Sequence, residues 1–200
     1  MPSLTDVVLP CAFYGVTDVV LAGSTPLNLF SQIDIGTLQR IPESGNHWYC
    51  PEWTTIVRSF VEVIVVKDSF CCDDDIRLLD LSGYWKLREF TVGDWCFRKV
   101  EELKLIGVNC LERVDIGQSS FAKYPYSTAD GRDDNRHFYL KDCPKLKSLK
   151  IGCYSFMDYS VCEIENVNAL EVIEMGKLNE WSGNFYWASL ELKSVFIYNE

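Results

Sequence analysis

The chain has 200 residues, 48% hydrophobic and 14% aromatic, which is enough for a packed core and rules out wholesale disorder. Its formal net charge of −10 repels phosphate backbones, so no nucleic-acid partner is expected. No apolar stretch approaches the roughly 20 residues of a membrane helix, so no membrane span is expected either.

The first segment, Met1 to Asp18, lacks a basic start, and Pro10 and Gly15 interrupt its apolar part. It does not read as a signal peptide. No Asn-x-Ser/Thr sequon occurs. Nine cysteines follow along the chain: Cys11, Cys50, Cys71, Cys72, Cys96, Cys110, Cys143, Cys153 and Cys162. An odd number cannot all pair within one chain, and no two closely spaced Cys-x-x-Cys pairs exist to hold zinc. They read as reduced, buried small hydrophobes, which suits a cytoplasmic location.

From Phe30 onward one pattern recurs. Phe60–Phe70, Leu87–Phe97, Leu111–Phe121 and Leu146–Phe156 all read apolar-x-x-apolar-x-apolar, then a glycine or its substitute, then a small residue and Phe. Phe30–Gly36 and Leu170–Gly176 keep the first seven positions. Starts at 30, 60, 87, 111, 146 and 170 give steps of 30, 27, 24, 35 and 24 residues. The unit is therefore ~24 residues with insertions.

Each unit has a second half. Leu79 and Leu81, Leu103 and Leu105, Phe138 and Leu140, and Cys162 and Ile164 alternate with polar residues. Tyr84, Val108, Cys143 and Val167 follow three residues before the next start. Period-2 alternation predicts two short half-buried strands per repeat, with helix possible only in the short stretch after the glycine. No unit buries its apolar face alone, so stacked units must form interior columns. One expected column is Phe70, Phe97, Phe121 and Phe156. Another is Val66, Gly93, Gly117, Gly152 and Gly176, where glycine would allow a positive φ at a sharp turn.

Cys143-Pro-Lys-Leu-Lys-Ser-Leu-Lys-Ile-Gly-x-x-Ser-Phe156 resembles the BspA-like class of leucine-rich repeats, whose pattern is Cys-x-x-Leu-x-x-Ile-x-Ile followed by a short turn and Ala/Ser-Phe. The resemblance covers about 60 to 200, with weaker echoes from Val7 to Ile41. It implies a solenoid used for protein contact and adhesion. The 30- and 35-residue units depart from the strict regularity of many such proteins. The expected fold is mostly β: a leucine-rich-repeat-type solenoid of about five to seven coils. Residues 1–59 form its irregular N-terminal repeats and 60–200 its regular part, in one continuous domain.

Candidates for chemistry are sparse. The two histidines, His47 and His137, fall in a turn-rich loop and at the start of a second-half strand. His47, with Trp48 and Tyr49, is a candidate for a binding surface. No metalloprotease, serine-hydrolase or P-loop motif occurs. The acidic runs Asp73-Asp74-Asp75 and Asp130-Gly-Arg-Asp-Asp-Asn135 lack the calcium-loop spacing and read as solvated loops. No catalytic residue, metal or cofactor is expected.

The repeat assigns outward rows. Glu62, Glu89, Arg113, Ser148 and Val172 form one; Ile64, Thr91, Asp115, Lys150 and Glu174 form the next; Asp80, Lys104, Tyr139 and Glu163 line the second strand. The first two rows are the candidate binding face. Four lysines between 141 and 150 precede a stretch with eight acids and two lysines, so charge is uneven as well. The expected function is non-enzymatic protein–protein interaction with an unknown protein partner. One rival is a carbohydrate-active β-solenoid enzyme, although Glu89, Asp115 and Glu174 alternate with Lys and Ser instead of converging. The other is an inactive repeat-gene fragment. Leu190, Leu192, Val195, Phe196, Ile197 and Tyr198 leave the last coil without a polar cap, beside Trp181, Phe185, Tyr186 and Trp187, where the Phe column is lost. End-to-end self-association through that coil, or cover by a continuation of the chain, is expected.

Overall fold

A computed structural model describes residues 61–69, 76–123, 131–177 and 182–193, together with the strand Gln32–Ile35. His47, Phe70, the aspartates at 73–75, Asp130, Trp181 and the apolar tail from Val195 lie outside the described residues.

The described residues form strands and turns and no helix. One sheet stacks β1 (Gln32–Ile35), β2 (Val63–Val66), β4 (Glu89–Val92), β6 (Arg113–Ile116), β8 (Ser148–Ile151) and β10 (Val172–Met175), in that order. The other stacks β3 (Leu78–Asp80), β5 (Glu102–Ile106), β7 (Asp133–Lys141), β9 (Tyr159–Glu165) and β11 (Ser189–Lys193). Every pairing is parallel, and the chain alternates between the two sheets. This is a parallel β-solenoid, and it is mostly β.

Alternation explains which residues face inward. Leu103 and Leu105, Phe138 and Leu140, and Cys162 and Ile164 are buried between the sheets. They meet Phe90 and Val92, Val114 and Ile116, and Leu149 and Ile151 in one continuous core. The longest unit, 35 residues, keeps the same register on both sides: Arg113 pairs with Ser148 and Glu102 with His137.

The first regular repeat is displaced by one residue from the alignment of the sequence. Val63, not Glu62, pairs with Glu89, and Ile64 pairs with Phe90. Ile64 is therefore a core residue, fully buried, and not part of an outward row. Glu62 sits in the column of Arg88 and Glu112, just before the strands: the amides of Arg88 and Glu89 donate to its carbonyl. Val66 pairs with Val92, so Lys67, not Val66, precedes the glycines. The cause is local: Val61, Val63, Ile64, Val65 and Val66 are apolar on both parities, so hydrophobic pattern does not fix the register there.

Three glycines serve close approach. A Cβ on Gly93 would lie 2.6 Å from the Asp68 amide nitrogen; on Gly117, 2.6 Å from the Gly93 carbonyl oxygen; on Gly152, 2.6 Å from the Gly117 carbonyl carbon. Positive φ, the reason expected from sequence, applies in this column at Gly176 alone, where φ is 66°.

The corner that follows is held by two ladders. Ser120 Oγ accepts from the Cys96 amide and donates to the Gly93 carbonyl; Ser155 Oγ accepts from the Ser120 amide and donates to the Gly117 carbonyl. Cys96 Sγ and Asn184 Nδ2 reach the equivalent carbonyls of Lys67 and Gly152. Beside them Phe97, Phe121, Phe156 and Phe185 stack with ring centroids 5.0, 4.8 and 4.9 Å apart. Phe185 thus continues the Phe column instead of losing it. All four take positive φ, between 48° and 57°. That backbone is unfavourable for bulky residues, and the stack and the hydroxyl ladder hold it in place.

Cys96, Cys143, Cys153 and Cys162 are buried free thiols and Cys110 is a half-buried one. Burial pushes the Cys143 thiol up to about 11 and Cys162 to about 12.

Candidate functional site

The outer face of the first sheet is built from residues that alternate with the core. Across β2, β4, β6, β8 and β10, one row reads Val63, Glu89, Arg113, Ser148, Val172. The next reads Val65, Thr91, Asp115, Lys150, Glu174. Eight of the ten residues expected on this face from sequence are brought together there. Glu62 and Ile64 are replaced by Val63 and Val65. At about 4.8 Å between strands the face spans about 19 Å.

Its middle is electrostatically incomplete. Arg113 is exposed, and no ion pair or hydrogen bond engages its side chain among the described residues. Asp115 is half-buried, and its Oδ1 is shielded from solvent without a hydrogen-bond partner. Burial raises the Asp115 carboxyl above the ordinary aspartate value; Arg113 and Lys150 oppose the rise, and Glu89 and Glu174 add to it. Lys150 turns to Glu174, 3.2 Å away, and both are exposed. Valines bound the face at β2, and Val172 stands exposed at β10.

The second sheet differs. Its row of Asp80, Lys104, Tyr139 and Glu163 is in register as the sequence implied. There Lys104 Nζ lies 2.6 Å from Glu102, and Lys141 is held by Glu163 and Glu165. Lys193 is paired with Glu191. His137 Nδ1 lies 3.7 Å from Glu102, while Nε2 is 2.9 Å from the Asp134 carbonyl oxygen. Tyr139 lies under Lys141, 5.3 Å from ring centre to ammonium.

One polar cluster escaped the sequence reading. Arg136 is 1% exposed. Its Nη1 is 2.5 Å from Asp158 Oδ2, and its Nη2 donates to the carbonyls of Arg98 and Val100 at 2.9 and 2.7 Å. The guanidinium lies over Tyr159 at 4.8 Å, and the Tyr159 hydroxyl donates to the Val100 carbonyl. Asp158 also accepts from the Lys123 amide. The cluster ties three coils together where the longest unit rejoins its sheet. Its signal was parity: Arg136 shares the inward phase of Phe138 and Leu140.

Among the described residues no cluster of His, Cys, Asp or Glu has metal-binding geometry, and no helix is long and apolar enough to cross a membrane. Comparison with family models, curated proteins and solved structures finds no match for the chain.

Proposed function

We propose that the chain is a protein-interaction module of the BspA-like leucine-rich-repeat type, with about five to seven coils, that binds a protein partner on the outer face of the first sheet without catalysing a reaction. One observation carries this reading: the two outer faces are built on the same repeat, yet at the centre of the first an exposed arginine has no ion pair among the described residues. Arg113 makes no ion pair or hydrogen bond among the described residues and Asp115 Oδ1 no hydrogen bond, while the lysines of the second sheet have carboxylates in contact. A face with apolar margins and incompletely paired charge at its centre suits a protein carrying both signs.

The test is affinity capture with the folded chain, comparing Arg113→Glu with Lys104→Glu on the other face. Partners held by the parent and by Lys104→Glu, but lost from Arg113→Glu, support the first face. Equal loss from both variants, or none from either, overturns it. The carbohydrate-active rival draws on the raised carboxyl of Asp115. Release of reducing ends from a polysaccharide panel, abolished by Asp115→Asn, would establish it instead.

A further inference from the structure

β10 and β11 are the outermost strands of their sheets, and among the described residues nothing pairs with their free edges. Ile173 stands in register with Leu149, and Leu190 and Leu192 with Cys162 and Ile164, so all three occupy core positions. Yet they are 44%, 54% and 59% exposed, against 0% for Leu149. An apolar strand edge of this kind invites another strand.

The sequence of β11, Ser-Leu-Glu-Leu-Lys, narrows the choice of that strand. Antiparallel pairing of β11 with its own copy, centred on Leu192, sets Leu192 against Leu192. It also sets Glu191 against Lys193 of the copy, twice. Centring one residue earlier opposes Glu191 to itself, which is unfavourable. Centring between residues turns inward side chains against outward ones and breaks the core alternation. Within one chain Glu191 and Lys193 pair, both well exposed, and the two-fold register places the same charges opposite one another across the axis as well.

We propose that a second copy of this chain docks on this end, forming a closed two-fold dimer through antiparallel β11–β11 pairing centred on Leu192. The surface is distinct from the first-sheet face, and the proposal does not depend on it. It turns the general stickiness expected of an uncapped coil into one geometry and one stoichiometry.

Sedimentation velocity of the full chain across a concentration series tests it, with circular dichroism confirming that each variant is folded. The expected parent result is a monomer–dimer equilibrium that stops at dimer. Lys193→Glu should weaken it by at least tenfold, because Glu191 then faces a second carboxylate across the axis. Glu191→Lys combined with Lys193→Glu should restore it, since the exchanged charges again meet across the axis. A monomeric parent at 100 µM overturns the proposal. So does a ladder of larger species, which means head-to-tail stacking, or a dimer that Lys193→Glu leaves intact.

Discussion

The middle coils and the outermost described coil share one pattern and live in different surroundings. Leu149 and Ile173 hold the same repeat position on adjacent paired strands; one is fully buried and the other nearly half exposed. Phe121 is stacked on both sides, by Phe97 and Phe156, whereas Phe185 stacks on Phe156 from one side. The lesson is that a repeat position has no burial of its own. Its apolar contact comes from the coil above and the coil below, and stability is a property of neighbours.

The sharpest way to break this comparison is at the centre of the stack. Phe121→Ala should cost about 3–5 kcal/mol in urea unfolding, and Phe185→Ala clearly less. Equal losses would mean that the outer coil is as well supported as the middle. Asp158→Ala should approach the same magnitude, about 3–5 kcal/mol, because it leaves the buried Arg136 guanidinium without its carboxylate. A loss below about 1 kcal/mol would show that the carbonyls of Arg98 and Val100 suffice for it.

Next comes the matched aliphatic pair. Leu149→Ala should cost about 2–5 kcal/mol and Ile173→Ala under about 1 kcal/mol, measured by the same unfolding experiment. If the two match, the outer coil is buried in solution, and a dimer or another partner covers it.

The smallest effect concerns pH. The Asp115 carboxyl is held above its unfolded value by burial, so its charged form opposes folding. That opposition is complete above the raised folded-state value and fades as pH falls toward the ordinary aspartate value. Asp115→Asn should therefore stabilise the protein slightly at pH 7 and leave it unchanged at pH 3, by thermal unfolding. A destabilised variant at pH 7 would show that Oδ1 has a partner in solution.

Much of the architecture is legible in the sequence because the signal is redundant. Leu103, Leu105, Val114 and Ile116 alternate with charged neighbours, so their phase admits one reading. Where both parities are apolar, as from Val61 to Val66, the phase is lost, and the repeat alignment puts Glu62 and Ile64 on the wrong face. The glycine column is visible but its reason is not, because close backbone approach depends on a residue in another coil. Phe185 escapes the Phe column because it follows Gly176 by nine residues, where Phe97, Phe121 and Phe156 follow their glycines by four, and Ser155 gives way to Asn184 in the hydroxyl ladder. For the candidate face, residue types are readable from alternation. Which charges stay unanswered is not, since that depends on which neighbour each long side chain reaches.

The glycine column has a mechanical consequence. At Gly93, Gly117 and Gly152 the backbone of one coil abuts the backbone of the next, with the Asp68 and Asp94 carboxylates close beside the first two. Asp94 Oδ1, accepting from the Gln118 amide, and Asp68 Oδ1, accepting from the Asp94 amide, lash the same corner from outside. In the two sheets the coils are likewise joined backbone to backbone, by parallel strand pairing. The corner is thus a third line, beside the two sheets, along which main chain meets main chain from coil to coil. A side chain added at Gly93, Gly117 or Gly152 would therefore have to push the neighbouring coil's main chain aside and would wedge the stack at this corner while the sheets hold the spacing elsewhere.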